Sequence, residues 1–230
     1  SQADVLINNY RHGVMQRLGF DDERLKELNP RLVHCSITGF GVGGPYQDRP
    51  CYDAVAVALS GISSQIIDPE NPFVSGPSLS DNITGMYAAY GVLGALYNRA
   101  RTNEGAKVEI NMLEASIAFS PEGFSQYTQH GMIPHSLSRV AISQSYAFRC
   151  SDDRMVSVHL SSVEKFWQGF IQAIERRDLL EDERFTTPAL RTKHYQELAQ
   201  LLAETFVTRT REERSERLAA HDVPSAPMNN

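Results

Sequence analysis

Apolar and polar positions along the chain alternate in two ways, as short apolar runs with polar ends and as longer runs with helical spacing. Asp4-Val5-Leu6-Ile7-Asn8 and Leu32-Val33-His34-Cys35-Ser36-Ile37 read as strands. Between them, Asp21-Asp22-Glu23 places acids in the first turn of a helix, Leu25 and Leu28 supply its buried edge, and Asn29-Pro30 stops it. Strand, helix and strand over about thirty residues is the spacing of a βαβ unit, which predicts parallel strands and an α/β architecture. Gly39-Phe40-Gly41-Val42-Gly43-Gly44-Pro45 follows the second strand directly. Its spacing does not match a GxGxxG dinucleotide fingerprint, and Pro45 falls where a helix should open. The stretch reads instead as a glycine-rich turn at the carboxyl end of a strand, the end at which open α/β sheets bind ligands.

A helix is predicted from Tyr52 to Leu59, followed by a looser region through Asp68-Pro69 and Asn71-Pro72. The next helix, Asn82 to about Arg101, is rich in the small residues Gly85, Ala88, Ala89, Gly91, Gly94 and Ala95, which suit close packing, the glycines at a cost in intrinsic helix stability. Lys107 to Asn111 is a strand, and Asn111 with Glu114 opens a further helix through Phe119. Periodicity then fades, and residues 121–145 read as a linker. Beyond it, Tyr146–Arg149 and Met155–Leu160 flank a polar turn as a β-hairpin. Three helices follow: Ser161–Ile174 with the box Ser161 and Glu164, Leu190–Phe206, and Arg211–His221 with the box Thr210 and Glu213. Runs such as Glu212-Glu213-Arg214 read as solvated helix surface. The resulting division is 1–120 as part of a large domain, 121–145 as linker, 146–222 as a smaller α+β domain, and 223–230 as an extended segment returning toward the large domain.

Composition adds bounds to this picture. The 230 residues are 41% hydrophobic, enough for a genuine core, and 28 acidic against 22 basic side chains give no electrostatic footprint for nucleic acid or an anionic membrane. Cys35, Cys51 and Cys150 lie far apart and fit neither a disulfide framework nor a CxxC site, so a reducing, cytoplasmic setting is expected. The weakly polar run Ile83–Tyr97 is shorter than the roughly 20 residues a bilayer needs and reads as a buried helix. No signal peptide is expected at Ser1-Gln2-Ala3-Asp4. The histidines are scattered without an HExxH pattern or clustered partners, so no metal site is expected, and neither a GxSxG elbow nor a GK[ST] phosphate loop is present.

The most pointed chemical feature is Ser78-Leu79-Ser80-Asp81-Asn82-Ile83-Thr84-Gly85, where one carboxylate stands at the mouth of a nearly uncharged helix. Two readings are open for Asp81: a helix cap accepting backbone N–H bonds, or a nucleophile held at a helix N-terminus. Asn9-Tyr10-Arg11-His12-Gly13 after the first strand, Arg17, and Pro50-Cys51-Tyr52-Asp53 at a helix entry each have ordinary readings as turn or surface residues.

Taken in order, five stretches resemble the class III coenzyme A transferase (CaiB/BaiF-like) family. They are ADVLINNYRHGVMQRLGF (3–20), NPRLVHCSITGFGVGGPYQDRPCYD (29–53), SLSDNITGMYAAYGVLGAL (78–96), EDERFTTPALR (181–191) and VPSAPMN (223–229). The resemblance implies an α/β fold with a Rossmann-like large domain and a smaller domain, usually as interlocked dimers. It implies an acyl-CoA and a carboxylic acid acceptor as substrates, with no tightly bound cofactor. It assigns Asp81 as the nucleophile that carries acyl and then CoA, Asn9, Tyr10 and Arg11 to the CoA site, Arg17 to a CoA phosphate, and Pro50, Cys51, Tyr52 and Asp53 to the loop beside the nucleotide and thioester. It further implies segments before Ser1 and beyond Asn230, so the chain reads as the central portion of a longer protein. Formyl- and oxalate-handling relatives carry a glycine-rich loop where this chain has Val140 to Tyr146, which weakens that substrate reading. Family racemases place a histidine where this chain has Tyr52, and tyrosine, with a reference pKa of about 10, is a poor base at neutral pH. A 2-methylacyl-CoA racemase and a non-catalytic CoA-binding fragment stand as the alternatives.

Overall fold

The computed structural model describes residues 2–161 and 163–229, and the chain divides into two compact units, Ser1–His135 and Ser136–Asn230. In the first unit, β1 (Val5–Asn8), α1 (Val14–Arg17), α2 (Asp22–Leu28) and β2 (Val33–Thr38) form the expected βαβ arrangement. They are followed by α3 (Asp53–Leu59), α4 (Ile62–Ile66), α5 (Leu79–Thr102), β3 (Ala106–Asn111), α6 (Met112–Phe119) and α7 (Pro121–His130). The strands run parallel in the order β1-β2-β3, with Val5 beside Val33 and Val33 beside Ala106.

Alternation along the strands decides what each sheet face meets. Val33 and Cys35 of β2 are fully buried beside Val108 and Ile110 of β3, and Ala88 and Val92 of α5 pack against them. Gly91 is required at this contact, because a Cβ there would lie 2.6 Å from Cγ1 of Val108. The opposite face is polar, carrying buried His34, half-buried Ser36 and exposed Lys107 and Glu109, with Asp22 of α2 in reach. The entry to α2 is fixed by Asp21, whose side chain accepts the Arg24 N–H at 2.8 Å.

The second unit contains α8 (Ser138–Ile142), β4 (Ser145–Arg149), β5 (Met155–His159), α9 (Glu164–Ile174), α10 (Asp178–Glu181), α11 (Pro188–Lys193), α12 (Tyr195–Phe206), α13 (Arg211–Ala220) and β6 (Ser225–Pro227). Its sheet is antiparallel in the order β4-β5-β6. Trp167, Phe170, Phe148 and Phe206 fill the core, the last two stacked with centroids 4.1 Å apart. Buried Arg191 lies 4.6 Å from the Trp167 ring centre and donates to the Phe185 carbonyl at 2.9 Å and to Glu164 at 2.8 Å. Cys150 is buried in the same core. The capping box of Thr210 and Glu213 forms as expected.

Several elements differ from the sequence reading. The stretch 121–145 is not a structureless linker: it holds α7 and α8, and the units divide between His135 and Ser136. Pro121 at the first helical turn starts α7, while its many Ser, Gln and His residues obscure the apolar stripe. Residues 225–227 are not a free extended segment: they form β6 and pair with β5, whose outer edge offers the free hydrogen-bonding groups they satisfy. Ser1 and Asn230, the ends of the expected division, lie outside the described residues. The Ser161–Glu164 box does not form, since Ser161 has φ +55°, α9 starts at Glu164, and that carboxylate is taken by Arg191; the Ser162 part of the expected helix lies outside the described residues. The single helix predicted over 190–206 is two, because Thr187 caps α11 at Leu190 and the chain breaks at His194. Of the small residues on α5, Ala88, Gly91 and Ala95 face the sheet, whereas Gly85 and Gly94 face open space.

Candidate active site

Helix α5 begins at Leu79 with Ser78 as its cap residue, so Asp81 lies inside the first turn and its side chain does not cap the helix. The cap reading is therefore replaced by a carboxylate in the positive field of a long helix N-terminus. The start of this helix is locked from below. Ser80, fully buried, lies 2.8 Å from the Ser116 hydroxyl, and both reach the Met112 carbonyl of α6. Thr84, also buried, donates to the Ser80 carbonyl at 2.6 Å. One side of the turn is thus sewn to α6, and the neighbouring residue, Asp81, is left exposed.

Asp53 ties a second element to this turn. It stands first in α3, and its Oδ1 accepts the backbone N–H of Asp81 at 3.1 Å, a donor that a helix start leaves without an internal partner. Two residues earlier, Cys51 presses on Gly39, where a Cβ would come within 2.3 Å of the Cys51 Cβ. The Cys51 thiol is pushed above its ordinary pKa by burial first, then by the negative charges of Asp81 and Asp53, with the Ala56 backbone acting in the opposite direction. These shared electrostatics place Cys51, Asp53 and Asp81 in one neighbourhood.

The glycine-rich turn folds over itself beside them. The Gly41 N–H donates to Thr38 Oγ1 at 3.0 Å and the Gly43 N–H to Gln47 Oε1 at 2.9 Å, while Arg49 stacks 4.0 Å over the Tyr46 ring. Gly41 and Gly43 have φ of +74° and +84°, which accounts for glycine at both.

The result is a cleft of about 470 Å³ at the carboxyl ends of the strands, within the range of small-molecule sites. Asn9, Tyr10, Arg11, Cys51, Tyr52 and Asp81 all line it, brought together from three separate stretches of sequence. Tyr52 is 78% exposed at its mouth. Arg17, Pro50 and Asp53 are not among the lining residues. Arg17 sits at the last turn of α1 with a guanidinium nitrogen 3.2 Å from where a Gly13 Cβ would be, and Asp53 acts from behind through the Asp81 backbone.

Gln47 and Arg49 also line the cleft, as do His12, Thr38, Thr84 and Met112. Sequence reasoning gave none of these a role, although His12 and Thr84 stand within the stretches it singled out. The signal for Arg49 was its place directly before Pro50-Cys51, on the same turn. Arg11 and Arg49 supply cations against the single lining carboxylate of Asp81, an arrangement suited to an anionic ligand. Among the described residues, no cluster of His, Cys, Asp and Glu could hold a metal ion, and no helix is long and apolar enough to cross a membrane.

Comparison with known proteins gives consistent matches. Residues 1–230 match the model of CoA-transferase family III. An acetyl-CoA:oxalate CoA-transferase of Acetobacter aceti is 41% identical over 135 residues, covering 58% of this chain and 35% of the relative. A formyl-CoA:oxalate CoA-transferase of Streptomyces coelicolor is 31% identical, covering 99% of this chain and 59% of the relative. A crystal structure of a CaiB/BaiF family protein from Brucella suis superposes with a TM-score of 0.86 at 29% identity, covering 100% of this chain and 61% of that one. The chain thus spans between 35% and 61% of the length of these relatives. With parallel strands, a cleft at their carboxyl ends and a match along its whole length, the chain belongs to CoA-transferase family III.

Proposed function

We propose that this chain carries the nucleophilic half of a CoA-transferase site, with Asp81 as the nucleophile. The observation that carries the reading is the exposed Asp81 carboxylate in the first turn of α5, at the wall of a cleft that also holds Arg11, Arg49 and Tyr52. An Asp81 oxygen attacks the thioester carbonyl of an acyl-CoA, the C–S bond breaks, and CoA thiolate leaves a mixed anhydride. The thiolate then attacks the Asp81 carbonyl carbon, releasing the donor acid as carboxylate and forming an aspartyl-CoA thioester. The acceptor carboxylate repeats both steps in reverse order and departs as its CoA ester, returning Asp81 to a free carboxylate. Every bond broken is matched by one formed, and the sequence consumes neither oxidant nor reductant.

Arg11 and Arg49 are suited to anionic parts of CoA, with Asn9 and Tyr10 as further contacts on the same loop. Tyr52 offers a flat apolar face to the ligand. Arg17, outside the lining, is assigned no contact. The acceptor is a small carboxylic acid, in keeping with the oxalate named for two relatives, and the assembly expected from the family is an interlocked pair of chains in the cytoplasm.

Incubating the chain with an acyl-CoA and digesting it for mass spectrometry tests the reading. The expected result is a covalent adduct confined to Asp81 and absent from the Asp81→Ala variant, with any turnover lowered at least a thousandfold, as for loss of a nucleophile. Binding of CoA with neither an adduct nor α-proton exchange in the native chain would leave the non-catalytic alternative, and α-proton exchange from a 2-methylacyl-CoA without an acceptor would favour the racemase.

A further inference from the structure

The cleft loop Asn9–His12 hangs from a buried pair on the polar face of the sheet that the chemistry above does not use. Asn8 ends β1 and is nine-tenths buried; His34 on β2 is 7% exposed. Asn8 Oδ1 accepts the backbone N–H of Tyr10 at 3.2 Å, which fixes the orientation of its amide. Its Nδ2 therefore faces Nε2 of His34, at 2.9 Å, as a donor. An imidazole nitrogen can accept that bond only when it carries no proton, so the neutral ring is protonated on Nδ1. Nδ1 is buried without a hydrogen-bond partner and lies 3.4 Å from Asp22 Oδ1, long for a hydrogen bond.

We infer that Asn8 and His34 are positioning residues for the ligand-binding loop, acting only while His34 Nε2 is unprotonated. Protonation turns Nε2 into a second donor facing the Asn8 amide donor. If the Asn8 amide turns over to meet it, Nδ2 is set against the Tyr10 N–H instead. Neither orientation satisfies both neighbours, so acid releases the tether between β1 and the loop that carries Asn9, Tyr10 and Arg11.

The charged groups around His34 come from three elements. Helix α2 contributes Asp22 and Lys26, and the start of β3 contributes Lys107 and Glu109 with Glu104 just before it. The loop itself contributes Arg11 and His12. Lys107 lies 2.7 Å from both Asp22 and Glu109. Burial disfavours its ammonium, but the two carboxylates outweigh this and leave its pKa raised, so it stays charged throughout and holds Asp22 in place. Of this set, His34 is the one bonded to the Asn8 amide.

The importance of the tether for CoA rests on the function proposed above; the tether itself does not. Isotope-labelled chain, followed by NMR across an acid titration, tests both separately. The expected results are a neutral His34 ring with the Nδ1–H tautomer and a Tyr10 amide protection factor that falls at least tenfold in step with ring protonation. The His34→Gln variant, which keeps an acceptor and cannot titrate there, should retain that protection in acid, and His34→Leu should lack it at every pH. An Nε2–H tautomer, or Tyr10 protection unchanged while the native ring titrates, would overturn the inference, and the native chain alone suffices for either finding if a variant does not fold. Calorimetric titration with CoA then reads function: affinity that declines with the same transition in the native chain but not in His34→Gln supports the link. Absence of CoA binding at every pH, with ring and amide still moving together, would count against the proposed function and leave the tether supported.

Discussion

Asp81 and Asp53 show how one backbone hydrogen bond can decide where a carboxylate stands. Asp81 belongs to the first turn of α5, Asp53 to the first turn of α3, and the 3.1 Å bond from the Asp81 N–H to Asp53 Oδ1 joins two helix starts that sequence separates. Removing that acceptor should cost about 1.5 kcal/mol, roughly tenfold in the rate of adduct formation at Asp81, because the orphan N–H regains only water. Asp53→Ala should show this loss, whereas Asp53→Asn, which keeps a carbonyl acceptor at the same atom, should stay within about threefold of the native rate. Time-resolved mass spectrometry of the Asp81 peptide checks both, and equal losses in the two variants would assign the effect to charge instead. Asn9, Tyr10, Arg11, Cys51, Tyr52 and Asp81 of the cleft were legible through family resemblance, while Gln47, Arg49 and this bond were not. Asp53 reads as an ordinary first-turn acid, and nothing in its spacing announces that its partner lies 28 positions away.

At the scale of elements, glycines on one helix divide by what they face. Gly91→Ala would put a Cβ 2.6 Å from Val108 Cγ1, so the gain in helix propensity of about 1 kcal/mol is opposed by an overpacking cost of about 1–3 kcal/mol. Gly94→Ala meets nothing within 4 Å and keeps the propensity gain. Urea titrations should therefore move in opposite directions, down for Gly91→Ala and up for Gly94→Ala. Sequence alone could not separate the two, since both read as small residues on an uncharged helix. Strands β1 and β2 were legible as short apolar runs between polar ends and β3 as the alternation Lys107-Val108-Glu109-Ile110; α1 was not, because Val14–Arg17 is too short to show a period. Helix α7 carried one usable mark, Pro121 directly after Ser120, but its polar composition hid the rest. The break at His194 likewise follows from a local cap at Thr187 that outcompetes a longer periodic pattern.

Over the whole molecule, the two units differ in how charge supports them. In the second unit, Glu175 is held below the usual carboxylate range by its hydrogen bond to Arg217, Asp178 by Arg176, and Asp182 by Arg184. A depressed folded pKa means that the unfolded chain takes up protons first as pH falls. The stabilisation is therefore present above the ordinary carboxylate value of about 4 and is lost as pH falls through the lower folded values. The effect is modest because these side chains are solvent-facing. The lone tryptophan, Trp167, is buried in this unit, so its fluorescence reports this core alone. The urea midpoint seen by Trp167 should drop between pH 6 and pH 3, on the order of the shift expected from a few exposed ion pairs; an unchanged midpoint would contradict the assignment.

The three thiols divide the molecule in a different way. Cys51 is half-buried in the cleft, Cys35 is sealed in the sheet of the first unit, and Cys150 in the core of the second. Each becomes available to an alkylating reagent after a different event: Cys51 when the cleft is empty, Cys35 when the first core opens, Cys150 when the second does. Because burial and the Asp81 charge raise the Cys51 pKa, even that reaction is slow at neutral pH and accelerates in mild alkali. One labelling time course, resolved by peptide, therefore timestamps ligand occupancy and the opening of each core in a single sample.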